Sequence, residues 1–320
     1  MTTLHHPTAA PGPEPLPVAE RAITLTVILL PIVGLIAAIV HAWGWGVGWT
    51  EVLLMLGMYI ATGLGITVGF HRLFTHKSFT TGPVVTAVFG ILGSMAFEGP
   101  LLRWVAFHRC HHQHSDKESD PHSPHHHGEG VRAVIKGFVN AHLGWMLNRS
   151  PHEENLSRYI KDFESNRLVT WISNAFPLWS LLSLVLPAVI GGLIDMSWTG
   201  ALLGFLWGGL VRILVVHHIT WSVNSVCHLW GTRPFESHDE SRNNPIVGVL
   251  AFGEGWHNNH HAFPTSARHG LAWWQFDASY LVIRTLALVG LAKEIRVPSA
   301  ERINSRRRRR PAEQGSNAAA

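Results

Sequence analysis

The chain has 320 residues, of which 47% are hydrophobic and only 14% are charged, whereas an average soluble domain carries about 25% charged residues. This composition argues against an ordinary soluble protein, and the fourteen tryptophans are typical of a chain with surfaces at a membrane–water boundary. The net charge of +4 includes the run Arg306 to Arg310, so the remainder is close to neutral and does not indicate a nucleic-acid partner. Two cysteines, Cys110 and Cys227, are too few for a disulfide framework or a Cys-type zinc site.

The first part of the chain contains two segments that can cross a membrane. Residues 1–20 are rich in Pro and Ala and are predicted to be disordered. The apolar run from Ala22 to Val40 has the length of about 20 residues that a spanning helix needs, and it lacks the cleavage site of a signal peptide. After a connector rich in Gly and Trp, residues 41–50, a second spanning run extends from Glu51 to Phe70.

The rest of the chain adds two more predicted spans. The segment from Pro83 to Leu102 is apolar, but a Glu-Gly-Pro sequence at 98–100 interrupts its end, so we expect an interfacial or partly inserted helix there. Residues 103–170 are polar and charged, and two apolar runs follow, Trp171 to Ile194 and Thr199 to Trp221. The predicted fold class is therefore an all-α membrane protein with four transmembrane helices.

The loop charges predict how these spans are oriented. The connectors 41–50 and 195–198 contain no Lys or Arg, whereas the region between the second and third spans contains several. Because basic loops stay on the cytosolic side, we expect the middle region and both termini in the cytosol and the protein in the cell inner membrane. A five-span alternative would place one basic region outside. Residues 21–300 are expected to form one membrane domain with a cytosolic helical cap, and residues 301–320 a disordered polybasic tail that catalysis does not need.

Three histidine clusters lie on the predicted cytosolic side. They are His71 and His76; His108, His111 and His112; and His257, His260 and His261. Histidines at i, i+3 and i+4 share one side of a helix, so each triplet is expected to direct three imidazoles to one place. His71 and His76 are about 140° apart around an ideal α-helix, which predicts that they straddle a helix end.

This number of imidazoles predicts a centre with two metal ions. Imidazole suits iron, copper, nickel and zinc, and so many histidines exceed the four ligands that one zinc takes. His122, His125 and His126 repeat the triplet spacing, but Pro124 disfavours a helix there, and we expect a solvated loop.

Around these histidines the sequence resembles the membrane fatty acyl-CoA desaturases of the stearoyl-CoA desaturase type. The similarity lies in HRLFTH at 71–76, HRCHH at 108–112 and GEGWHNNHH at 253–261. It also includes Ser115-Asp116, Asp120-Pro121-His122 and the segment from Thr220 to His228, and it covers residues 22–290.

The resemblance implies a di-iron enzyme in which nine histidines bind two Fe²⁺ ions and are the catalytic residues. These are His71, His76, His108, His111, His112, His228, His257, His260 and His261. It implies that Asn224 meets one iron through water, and that His217 and His218, which match no ligand, are structural.

By the same resemblance the reaction is the O₂-dependent introduction of a cis double bond, at Δ9, into a saturated fatty acyl chain. The electrons come from a separate donor such as a ferredoxin or an NAD(P)H-dependent reductase. Acyl-CoA is favoured over acyl-lipid as substrate, although Ala106 and Phe107 stand where animal members carry a charged pair that faces the CoA head group. A di-iron fatty acid or alkane hydroxylase is one alternative. A non-enzymatic metal-binding or transport protein is another, but the spans contain few polar residues apart from Arg212.

The resemblance also implies substrate-binding residues. Trp104, Thr220 and Trp221 match the bend of the family's acyl tunnel. Tyr59 and Gly63 lie one turn apart on the second span and match positions near the closed end, where the glycine is expected to leave room for substrate methylenes.

Overall fold

A computed structural model describes residues 15–117, 119–120, 122–125, 127–149 and 153–308. Within these ranges the regular secondary structure is helical apart from one two-stranded sheet. Four helices are long and apolar enough to cross a membrane: Val18–Trp45, Trp49–Thr75, Phe176–Ile194 and Trp198–Leu229. The predicted all-α class with four spans is confirmed.

The first hairpin consists of α1 (Val18–Trp45) and α2 (Trp49–Leu64), and α2 continues without a break as a π-helix over Gly65–Thr75. Helix α1 begins inside the segment that was expected to be disordered, with the Arg21 amide bonded to the Pro17 carbonyl at 2.9 Å. Proline suits this position because its missing N–H costs nothing at a helix start. The expectation of disorder is therefore wrong for residues 15–20, and residues 1–14 lie outside the described ranges.

The apolar segment 83–102 does not form one helix. Strand β1 (Thr80–Thr81) leads into α3 (Pro83–Ser94), and α4 (Leu101–His114) begins after a tight bend. In the bend, Phe97 and Gly99 both have positive φ, 66° and 98°, a conformation that glycine adopts without steric cost. With 12 residues, α3 is too short to span a bilayer, in agreement with the predicted interfacial or partly inserted helix.

The middle region packs beneath α4 as short helices. They are α5 (Val131–His142), 3₁₀ segments at Gly144–Leu147 and Glu153–Phe163, and α6 (Arg167–Asn174). The guanidinium of Arg109 on α4 bonds both oxygens of Asp162, at 2.7 and 3.1 Å. This pairing ties the middle region to the helix that carries the second histidine cluster.

The second hairpin consists of α7 (Phe176–Ile194) and a continuous helix of three parts: α8 (Trp198–Leu203), a π-helix (Gly204–Val211) and α9 (Arg212–Leu229). Arg212 is fully buried in this span and donates to the carbonyls of Met95 and Ser183 at 3.0 and 3.1 Å. A buried guanidinium needs such partners, so this charge holds the bend after α3 against the two spans.

The last part of the chain completes a helical cap over one end of the spans. It consists of α10 (Pro245–Leu250), α11 (His257–Ala262), α12 (Ala278–Leu288), β2 (Ala292–Lys293) and α13 (Ala300–Ser305). Strand β2 pairs antiparallel with β1 and so joins the start of α3 to the end of α12.

The expected disorder of the tail is wrong for residues 301–308. After α13, the Arg306 side chain donates to the Ala262 carbonyl at 2.7 Å, and the Arg308 amide donates to the Pro234 carbonyl at 2.9 Å. The carbonyls at the end of a helix lack partners within the helix, and a basic side chain can supply one. The last turn of α11 therefore fixes this part of the tail. Residues 309–320 lie outside the described ranges.

Candidate metal centre

The nine predicted histidines meet in two adjacent groups beneath the cap. In each group the potential ligand atoms lie within 4.8 Å of one another. The five-histidine group contains His71, His76, His108, His112 and His260. The four-histidine group contains His111, His228, His257 and His261.

Each histidine triplet is divided between the two groups, which corrects the expectation that a triplet serves one place. Residues four apart differ by about 40° around an α-helix, and residues three apart by about 60° in the opposite sense. On α4, His108 and His112 therefore face the five-histidine group and His111 faces the other. Helix α11 does the reverse, because His257 and His261 face the four-histidine group and His260 faces the first. The two helices thus lie between two metal positions and serve both.

His71 and His76 converge because their segment is a π-helix rather than the end of an α-helix. The His76 amide bonds the His71 carbonyl at 3.1 Å, which is the i→i+5 bond of a π-turn. This turn holds residues five apart over one another, and the two ring centroids are 4.8 Å apart. The prediction that the two residues straddle a helix end is confirmed, because the helix ends at Thr75. The angle of about 140° assumed α-helical geometry and does not apply to this π-turn.

Carboxylates fix the rings of four histidines from behind. In each pair the imidazole Nδ1 faces a carboxylate oxygen: His71 and Glu254 at 2.6 Å, His111 and Asp120 at 3.1 Å, His228 and Asp116 at 2.8 Å, and His261 and Asp239 at 2.5 Å. A proton held on Nδ1 by such a contact leaves the Nε2 lone pair facing the centre, the usual arrangement behind a histidine metal ligand.

Six of the nine histidines are held neutral by their surroundings. Burial lowers the pKa of His76, His108, His112, His257 and His260 well below the usual value, and neighbouring imidazoles lower it further. Burial likewise lowers the pKa of His261 to about 4. At neutral pH these rings keep the lone pair that metal binding requires.

The spacing of the nitrogens fits metal ions. Nε2 of His260 lies 3.0 Å from Nε2 of His71 and 2.9 Å from Nε2 of His112. Lone pairs so close repel one another unless a proton or cation lies among them. The buried Nε2 atoms of His76, His111 and His261 have no hydrogen-bond partner, whereas most buried polar atoms have one. A donor set of imidazoles backed by carboxylates fits iron, copper or zinc.

The family model for fatty acid desaturases matches residues 43–290 of this chain. The chain belongs to the fatty acid desaturase family. Among curated relatives, it is 40% identical to the hex-5-enoyl-[acyl-carrier protein] acetylenase of Moorena producens over 87% of each chain. It is 40% identical to the sn-1 stearoyl-lipid 9-desaturase of Synechocystis sp., over 78% of this chain and 73% of the relative. It is 38% identical to the icosanoyl-CoA 5-desaturase of Limnanthes douglasii, over 87% of this chain and 73% of the relative.

Sequence reasoning missed a second set of polar residues in this desaturase, behind His71. One carboxylate oxygen of Glu254 accepts a hydrogen bond from Nη1 of Arg72 at 2.8 Å, and the other lies 3.2 Å from Nδ1 of His269. Arg72 is fully buried and also contacts Asp277 at 3.1 Å. Glu254 lies within the GEGWHNNHH motif and could have been found there, but Asp239, His269 and Asp277 carry no local signal.

His122 does not lie in a solvated loop, which corrects the expectation for this segment. It is buried, its ring centroid lies 4.3 Å from that of His111, and its Nδ1 lies 3.6 Å from Asp120. The Asp120 carboxylate, paired with His111, draws the loop inwards. Burial lowers the pKa of His122 to about 3, so it is a neutral neighbour of the four-histidine group. His125 lies 3.7 Å from Asp116, and His126 lies outside the described residues.

An apolar cavity lies between the second and fourth spans. Its wall includes Tyr59, Gly63, Thr67, Thr220, Phe252 and Glu254. Three predicted substrate-binding residues, Tyr59, Gly63 and Thr220, therefore share one apolar space with a residue that contacts His71.

The other two predicted tunnel residues pack against histidines. Trp104 stacks on His108 with centroids 4.9 Å apart, and its indole N–H donates to Glu98 at 3.0 Å. Trp221 stacks on His217, also at 4.9 Å.

The space beside Gly63 is occupied by protein, which corrects the reason given for a glycine there. A Cβ at position 63 would lie 2.3 Å from a ring carbon of Phe252. The glycine thus accommodates an aromatic ring rather than substrate methylenes.

The remaining predicted residues lie on α9. Asn224 is half-buried on α9, one turn before His228, and its contact through water stays a prediction. His217, expected to be structural, bonds the Ala96 carbonyl at 3.1 Å, and His218 bonds His142 at 2.9 Å.

Proposed function

We propose that this desaturase introduces a cis double bond at Δ9 into a saturated fatty acyl chain, using O₂ and two electrons. The observation that carries the proposal is the meeting of nine imidazoles, in groups of five and four, beside an apolar cavity whose wall includes Glu254, the partner of His71. The comparisons support a desaturase rather than a transporter. A hydroxylase is the alternative, and the mass of the product distinguishes the two reactions.

We propose that the five-histidine group holds one Fe²⁺ and the four-histidine group the other, with Asn224 reaching its iron through water. When bound, the irons supply the oxidising chemistry that unactivated C–H bonds require. The protein supplies orientation. Glu254, Asp120, Asp116 and Asp239 keep four imidazoles in one tautomer, and the apolar wall keeps water from the reacting methylenes.

The cavity determines which carbons reach the metal centre, because positioning carries much of the selectivity in such a reaction. Trp104 and Thr220 are proposed to set the bend of the chain. The Trp104 indole donates to Glu98 at 3.0 Å, so a buried carboxyl group holds the ring in place. Trp221 is proposed to support this bend from α9.

The carrier of the acyl chain is proposed to be CoA, as the overall resemblance favours, with acyl-lipid as the competing substrate. Curated relatives act on acyl groups of lipid, CoA and acyl-carrier protein, as their names state. Ala106 is buried, and Phe107 packs its ring at 5.9 Å from Trp145, so neither offers a charge to a CoA head group. The absence of a charge at these two positions favours acyl-lipid as the substrate.

The protein is proposed to lie in the cell inner membrane with the cap and both termini in the cytosol. A soluble donor, such as a ferredoxin or an NAD(P)H-dependent reductase, would then reach the cap directly. The basic middle region and the basic tail support this orientation.

The proposed function is tested by expression in a host that lacks desaturases. We expect a new monounsaturated acyl chain that is two hydrogens lighter than its precursor, with the double bond at Δ9. A product heavier by one oxygen would indicate a hydroxylase. Purified protein supplied with stearoyl-CoA, stearoyl-phospholipid or stearoyl-[acyl-carrier protein] identifies the carrier, with His228→Ala as the inactive control.

A further inference from the structure

We propose that Phe252 forms the end wall of the acyl cavity and sets the longest acyl chain that this desaturase accepts. The inference rests on the proposed function, and it assigns chain-length selection to a loop residue before α11 rather than to span two alone.

The ring of Phe252 fills a notch that Gly63 opens on the second span. A side-chain carbon at position 63 would lie 2.3 Å from the ring carbon Cε2, which is closer than any van der Waals contact. On its other side, the ring centroid lies 5.1 Å from that of Tyr59. All three residues line the cavity, so the phenylalanine ring, clamped between the tyrosine and the glycine, faces the space that an acyl chain would occupy.

The backbone of Phe252 is held in an unusual conformation. Its φ is +53°, a left-handed value that aromatic residues rarely adopt, and such residues cluster at functional sites. The Phe252 carbonyl accepts from the Ser279 amide at 3.0 Å. Two residues earlier, the Leu250 carbonyl accepts from the Tyr59 hydroxyl. These bonds fix the wall from α12 and from the second span.

The wall is also connected to the metal centre through a very short segment. Only Gly253 separates Phe252 from Glu254, whose carboxylate lies 2.6 Å from Nδ1 of His71. The distance between the metal centre and the end wall is therefore set by adjacent residues of one rigid loop. Such an arrangement acts as a ruler for the part of the acyl chain beyond the new double bond.

The test is a competition among saturated acyl chains of different lengths, supplied to wild type, Phe252→Ala and Phe252→Gly. We expect the ratio of longer to shorter unsaturated products to rise by about tenfold or more, the discrimination that one methylene gives in an apolar pocket. The double-bond position should stay unchanged, because the hydrogen bond that holds Trp104, to Glu98 at 3.0 Å, does not involve Phe252. Phe252→Gly adopts the left-handed backbone without strain. It therefore provides a folded test of the inference if the alanine variant misfolds.

A control and a double substitution complete the design. Val249→Ala alters an exposed residue of α10 that is 52% accessible and should leave the product profile as in wild type. Gly63→Ala alone should lose activity on the longest chains, and Gly63→Ala with Phe252→Ala should regain it, because the clashing ring is gone. Phe252 variants that retain iron and give the wild-type product lengths would overturn the inference. A wild-type protein without any unsaturated product would instead overturn the proposed function.

Discussion

At the scale of single residues, the imidazoles of the metal centre depend on carboxylates that do not themselves face the metal positions. Asp239 is the clearest example, because its Oδ2 lies 2.5 Å from Nδ1 of His261 and its Oδ1 accepts from the Ser241 hydroxyl at 2.6 Å. Burial alone would raise its pKa, but His261 holds the pKa of this carboxyl well below the usual range. The aspartate is thus ionised and fixed, and it orients a proposed ligand.

We predict that Asp239→Ala weakens iron binding by about 10–100-fold, the usual effect of losing a partner behind a metal ligand. The measurement is iron retention against a graded chelator. Glu240→Gln is the matched control, because the Glu240 side chain contacts Arg233 at the surface. Equal iron retention in both variants would show that Asp239 does not position His261.

Glu98 is a second residue with a consequence for the whole protein. Burial raises its pKa to about 7, against the opposing hydrogen bonds from Thr220 and Trp104. A carboxyl group whose pKa is raised on folding favours the folded state while it stays protonated. This contribution to stability is fully present below 4.5, the pKa of the unfolded chain. It is lost as the pH rises through about 7, the pKa of the folded protein.

We therefore predict that the wild-type protein loses stability relative to Glu98→Gln as the pH rises from 4.5 to about 7. Each unit of pKa difference corresponds to about 1.4 kcal/mol, reduced where solvent reaches the group. A glutamine oxygen still accepts from Trp104 but cannot ionise. Thermal unfolding across this pH range is the measurement. Parallel curves for the two proteins would contradict the raised pKa.

At the scale of secondary-structure elements, α11 carries three proposed ligands on only six residues. A helix so short is not stable alone, so it needs contacts from outside. Its last carbonyl, that of Ala262, accepts from Arg306, whose guanidinium also lies 5.9 Å from the Phe263 ring. The tail is therefore expected to support the metal centre, which changes the expectation that it is dispensable.

We predict that Arg306→Ala destabilises the protein by about 1.5–3 kcal/mol, the range for a hydrogen bond from a charged group, and lowers its iron content. Arg307→Ala should do neither, because Arg307 pairs with Phe235 through its backbone. Truncation after Asn304 should resemble Arg306→Ala, and truncation after Arg308 should resemble wild type. Wild-type iron content after truncation at Asn304 would show that the contact has no role.

At the scale of the whole molecule, the two hairpins and the cap bring together histidines from four separate segments. Two groups of ligand atoms are formed, and one ion cannot serve both. We predict two irons per chain, measured by elemental analysis of protein from iron-supplied cells.

His228→Ala, in the four-histidine group, should leave about one iron and abolish desaturation. His217→Ala is its control, since His217 bonds a carbonyl away from both groups. One zinc per chain with full activity would refute the assignment.

Much of this protein was predictable from the sequence alone, for local reasons. Membrane spans depend on the composition of about 20 consecutive residues, so four spans could be recognised without knowing their packing. Eight of the nine histidines could be named because they lie in three short motifs, whereas His228 was named only from the resemblance of residues 220–228 to the family. The family could be inferred from the same motifs.

The tertiary structure decided the features that join distant parts of the chain. The π-turn at His71 and His76 and the division of each triplet between two groups depend on how helices pack. The pairing of Asp239 with His261 and the seating of Phe252 against Gly63 join residues with no common local pattern. These contacts decide ligand orientation and cavity length, because packing of a unique core, rather than hydropathy, fixes where individual side chains lie.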